Sequence, residues 1–126
     1  MSRKREKFTL KKRLQSFRHA FAGIRNLLVY EHNFRIHLVA AVLAVLLGIL
    51  LHLPLWKWAL LSIVIFLVLI TEAFNSAMEK LADVLSPEYN EKIKQLKDNC
   101  AAAVLLASVL AIIVGLIIFL PEIFKL

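Results

Sequence analysis

Glu72, Asn75, Glu79 and Asp83 recur at steps of three and four residues, directly behind the apolar run 59–70. At 100° per residue in a helix, their side chains fall within roughly 80° of one face. Charged groups at membrane depth are energetically unfavourable, so they are rare and mark function. Three carboxylates and an amide on one face suit cations, or a reaction that needs a base beside cations. Hard cations such as Mg²⁺ are commonly held by one or two carboxylates together with substrate phosphates. Glu31 precedes the first long apolar run, and Lys97 and Asp98 precede the last. Lys12, Arg25, Arg35 and Lys97 offer cationic groups for phosphate oxygens. Acids, a divalent ion and cationic clamps are the components of phosphoryl transfer. The three glycines, Gly23, Gly48 and Gly115, are isolated, so neither glycine-rich phosphate loop is present. Side chains and metal ions have to do what backbone amides do in such loops.

The elements that would position these groups are helices in a membrane. Apolar residues make up 60% of the 126 residues, and the mean hydropathy is +0.74. The expected fold is an all-α membrane protein of one domain. Residues 1–10 read as a basic tail. Over 11–32, Leu14, Phe17, Phe21, Ile24, Leu27 and Leu28 form the stripe of an amphipathic helix lying in the membrane interface. Transmembrane helices are expected over 36–53, 58–82 and 99–120, the last closed by Pro121. His52, Pro54, Trp56 and Trp58 mark an interfacial turn between the first two. Ser86-Pro87 is expected to stop one helix and start the next. Three spans enclose little volume, so an oligomer is expected.

The net charge is +7, and ten of the sixteen Lys and Arg residues lie in the first 35. With Lys80, Lys92, Lys94 and Lys97 on the same side, the basic residues divide 14 to 2, Lys57 and Lys125 being opposite. The positive-inside rule then places the N-terminus and the acidic face at the cytoplasmic leaflet. No short apolar segment follows the first basic residues, so no cleaved signal peptide is expected. A nucleic-acid arm is not needed to explain the charge. The four histidines lack zinc-ligand spacing. Cys100, the single cysteine, excludes an intrachain disulfide.

The bland readings differ from residue to residue. Asn75 and Ser76 suit helix–helix hydrogen bonds, but three acids exceed what such glue needs. Lys97 and Asp98 suit an ordinary helix start, and Arg25 and Arg35 suit snorkelling to headgroups. A small cation transporter is the alternative of a different class. It would need polar groups through the full depth, and the outer halves of the spans carry none but His52 at the edge.

The pattern E-x-x-N-S-A-M-E-x-x-x-D, then S-P-E-Y, then K-D fourteen residues after that Asp, resembles the prokaryotic integral-membrane diacylglycerol kinase family with its undecaprenol kinase relatives. S-F-R-H-A-F-A-G-I-R and E-H-N-F-R-I-H extend the resemblance from about Ser16 to Leu120. It implies a homotrimer with active sites shared between neighbours, ATP as donor, a lipid alcohol as acceptor and Mg²⁺ as cofactor. It implies Glu72 as general base, Glu31 and Glu79 as metal ligands on the ATP phosphates, and Asn75, Asp83, Lys97 and Asp98 at the remaining motif positions. Arg35 is placed with the substrate, and Lys12 falls where the family has a basic residue near nucleotide. F-R-I-H, S-P-E-Y and I-F-L-P resemble the undecaprenol subgroup, with diacylglycerol as the alternative acceptor. Glu72 lies two turns deeper than Glu79. That depth suits a hydroxyl at the headgroup boundary, with ATP arriving from the water side.

Overall fold

A computed structural model describes residues 4–125; the first three residues of the basic tail and Leu126 lie outside it. The fold is all-helical: α1 (Leu10–Tyr30), α2 (His32–Leu50), α3 (Leu55–Leu85) and α4 (Glu91–Phe124). The last three are long and apolar enough to cross a membrane. At 1.5 Å per residue, α3 and α4 are about 46 and 51 Å long, against about 30 Å of bilayer hydrocarbon. Their surplus turns must stand in the headgroup region or in water, and those turns carry the charges.

Thr9 caps α1, its hydroxyl accepting from the Lys12 amide at 3.4 Å. No residue of α1 is buried, and Leu14, Phe17 and Phe21 are open along its length. A single extended residue, Glu31 (φ −108°, ψ 106°), separates α1 from α2. Its amide still bonds the Leu27 carbonyl and its carbonyl accepts from Arg35, so the chain bends without losing its hydrogen bonds.

The α2–α3 turn closes as a Schellman motif. The Leu53 amide donates to the Gly48 carbonyl at 3.1 Å, and the His52 amide to Ile49 at 3.2 Å. His52 takes the left-handed position (φ 53°). Leu53 folds back into a core with Leu61, Val64 and Ile118, flanked by Ala44, Trp58, Ala111 and Phe119. At Gly48 an added Cβ would stand 2.8 Å from the Trp58 ring, so glycine allows α2 to approach α3 there.

Two sequence expectations about helix ends change. The helix after Ser86-Pro87 starts at Glu91, because Asn90 supplies the stronger cap: its Oδ1 accepts from Lys92 and Ile93. Ser86 instead donates to the Glu88 carbonyl within the connector. Pro121 does not close α4, which runs on to Phe124. Proline removes one ladder donor, and in membrane helices neighbouring groups repair such gaps. The carbonyl that loses its donor is that of Ile117; the Lys57 ammonium, from the first turn of α3, donates to the next one, Ile118, at 3.0 Å.

Lys57 also corrects the expectation that the outer halves lack polar groups. It is buried and pairs with Glu122 at 2.8 Å. The partners are 65 residues apart in sequence, so no local pattern shows the pair.

Candidate active site

The buried face of α3 runs through Lys57, Leu61, Val64, Val68, Glu72, Asn75 and Ser76. Steps of three and four keep these residues on one side of the helix. Three apolar residues separate Lys57 from Glu72, about 22 Å along the axis. The polar groups therefore form two islands, not a continuous path.

At the Glu72 island, the side chain is 4% exposed, and Oε2 lies 3.6 Å from Nε2 of His37 on α2. One turn on, Asn75 is buried, and its Oδ1 has no hydrogen-bond partner. Buried polar atoms are nearly always paired, so this acceptor needs a donor from elsewhere. A cavity of about 300 Å³ opens here between α2, α3 and α4, lined by Asn33, His37, Glu72, Asn75, Val104 and Ser108 among others.

Toward the end of α3 the acids become accessible. Glu79 is exposed, and both it and Glu31 are near enough to Glu72 for their charges to repel. Glu31 is half-buried at the α1–α2 bend, with Lys80 at 3.5 Å. Asp83 pairs with Lys97 of α4 at 2.5 Å, at the edge of a concavity of about 350 Å³ formed by the α3–α4 connector. Among the described residues no three acid, histidine or cysteine side chains form a ready-made metal cage. Glu79 and the half-buried Glu31 are carboxylates of the type that would hold Mg²⁺ together with substrate phosphates.

The structure thus gathers Glu31, Glu72, Asn75 and Glu79 around the C-terminal part of α3, with Asp83 and Lys97 beside them. It does not bring Lys12, Arg35 or Asp98 to these acids within one chain. Lys12 faces Glu6 at 3.5 Å, Arg35 bonds His32 at 2.7 Å, and Asp98 pairs with Lys94 at 2.6 Å. Lys97 and Asp98 stand in the second turn of α4 rather than at its start, since the helix begins at Glu91.

Two residues escaped the sequence reading, Lys80 and His37. In the sequence Lys80 shows only as a topological charge. His37 lacks metal-ligand spacing, but a histidine within an apolar span is itself a functional signal.

Residues 18–119 match the sequence model of a family described as prokaryotic diacylglycerol kinase. A Synechocystis protein named diacylglycerol kinase is 40% identical over 114 residues, covering 90% of this chain and 65% of that protein. An undecaprenol kinase of Bacillus subtilis is 32% identical over 122 residues, covering 97% of this chain and 99% of the relative. A diacylglycerol kinase of Escherichia coli is 36% identical over 95 residues, 75% of this chain and 78% of that protein. The chain therefore spans just under two thirds of the Synechocystis relative and nearly all of the Bacillus one.

Proposed function

The chain belongs to the prokaryotic diacylglycerol kinase family, whose named members are phosphotransferases acting on lipid alcohols, and from that premise we propose that it is an ATP-dependent lipid kinase of the bacterial inner membrane. One observation carries the reading. A buried carboxylate and an unpartnered amide oxygen line a cavity at membrane depth, while further carboxylates stand open to water beyond them. A lipid hydroxyl reaches the first from the bilayer, and a nucleotide reaches the second from the cytoplasm.

Glu72 is the general base. As the hydroxyl oxygen bonds to the γ-phosphorus of ATP, the bond from that phosphorus to the bridging oxygen breaks and ADP leaves. The hydroxyl proton passes to Glu72. General-base assistance of this kind contributes about 10²–10⁴-fold. Asn75 orients the hydroxyl, and Arg35 stands at the headgroup level. Glu31 and Glu79 hold Mg²⁺, which when bound neutralises phosphate charge. Lys97, held by Asp83, faces the phosphates, and Lys12 and Asp98 complete the nucleotide side from a neighbouring subunit. That division suits a homotrimer with shared sites, because one chain leaves Lys12 and Asp98 away from the acids. Helix α1 lies on the cytoplasmic surface with Leu14, Phe17 and Phe21 toward lipid. The 14-to-2 basic split supports that side. A reporter joined after Lys125 should be active only outside the membrane; cytoplasmic activity would overturn the placement.

Undecaprenol is the favoured acceptor. The F-R-I-H and S-P-E-Y segments support it, as does near end-to-end coverage with the Bacillus undecaprenol kinase. Diacylglycerol is the second reading, favoured by the higher identity to the Synechocystis protein. Purified protein in mixed micelles, given labelled ATP and both alcohols side by side, should label undecaprenol faster. Faster labelling of diacylglycerol would reverse the order, and no labelled lipid from either would reject the kinase reading.

A further inference from the structure

Glu72 has one ion-pair partner among the described residues, His37, and the pair joins α2 to α3 inside the bilayer region. A carboxylate at that depth needs a partner to stay charged. It also needs one to stay oriented, because a base works only when aimed at its proton. The 3.6 Å separation is just beyond a hydrogen bond, a spacing that catalytic contacts often show without substrate and close when substrate binds.

The position of His37 adds a second observation. It lines the polar cavity that holds Glu72 and Asn75. It also lines an apolar cavity of about 290 Å³ that runs past Ala40, Ala44 and Gly115 to Phe119. The imidazole lines both cavities, 3.6 Å from the carboxylate. We propose that His37 is a positioning residue: its ring N–H holds one oxygen of Glu72 and so turns the other toward the acceptor hydroxyl. The proposal rests on Glu72 being the base. A ring that only bridged two helices would contribute to folding and not to the rate of the step.

A double-mutant cycle separates these roles. The full chain in mixed micelles is compared as wild type, His37→Leu, His37→Gln, Glu72→Gln and Glu72→Gln/His37→Leu. For each, kcat, KM for ATP and the thermal midpoint in detergent are measured. His37→Leu should lower kcat by about 100-fold, the effect of a misaimed catalytic group, with KM for ATP unchanged. His37→Gln keeps an N–H donor and should recover much of that loss. The double variant should be no slower than Glu72→Gln alone, since nothing is left to position. Losses that multiply, a normal kcat in His37→Leu, or equal damage from Gln and Leu would each overturn the proposal. If His37→Leu does not fold, the same cycle run with His37→Gln must show the non-additivity, and additive losses there overturn it. Full kcat in Glu72→Gln would remove the base reading itself, whereas a slow Glu72→Gln beside a normal His37→Leu would remove only the positioning role.

Discussion

Lys57 and Glu72 occupy opposite ends of one buried stripe on α3, yet their surroundings differ. Lys57 donates to both Glu122 and the Ile118 carbonyl, and lies 5.4 Å from the Trp56 ring. Its charge is matched, and the space around it is filled by the Leu53–Ile118 core. Glu72 meets one imidazole at 3.6 Å, next to an amide oxygen with no partner and a cavity of about 300 Å³. A buried charge that is fully satisfied serves structure, because removing either partner strands the other. A buried charge beside unfilled hydrogen-bonding capacity is arranged for something that arrives later. The two ends should therefore respond oppositely to neutralisation.

The largest expected effect is at the open end. Glu72→Gln should lower turnover by about 10²–10⁴-fold while ATP binding and the thermal midpoint hold, measured by lipid phosphorylation and nucleotide titration. Loss of ATP binding in Glu72→Gln, with binding intact in Glu79→Gln, would exchange the two roles. At the closed end, Lys57→Met removes the partner that Glu122 meets at 2.8 Å, leaving it Lys125 at 3.6 Å, and should lower the unfolding midpoint, with specific activity of the folded fraction unchanged. Adding Glu122→Gln should recover part of that loss in a denaturant titration. If Lys57→Met instead lowered kcat without lowering stability, the two ends would not be separate devices.

Glu31→Gln and Glu79→Gln sharpen the open end further. A lost interaction with a charged partner is typically about 1.5–3 kcal/mol, so half-maximal activity should need about 10–100-fold more Mg²⁺, with oligomer size unchanged. Normal activity of both variants at low Mg²⁺ would reject the ligand assignment. The smallest effect is expected at Gly48. An alanine there pushes on a Trp58 ring packed against the core and should remove about 1–3 kcal/mol of stability. An unchanged unfolding midpoint would mean that the α2–α3 turn relaxes freely.

The sequence by itself determined that the chain is helical and rich in membrane-crossing segments, because apolar runs of span length admit few other structures in a bilayer. It also determined that Glu72, Asn75, Glu79 and Asp83 share a face, because helical periodicity is local. The N-S-A-M-E core of the motif carried the family for the same reason: its spacing lies within a few turns of one helix. What lay between helices was not legible. His37 faces Glu72 across a 35-residue separation, Lys57 faces Glu122 across 65, and Lys80 reaches back to Glu31. Pro121 read as a stop because a proline removes a donor from its own ladder, and only packing showed Lys57 bonding the carbonyl at Ile118. Periodicity along one helix decides which side chains point the same way. Which charge is satisfied and which is left waiting depends on rotation and register between helices, and only the tertiary structure decided that.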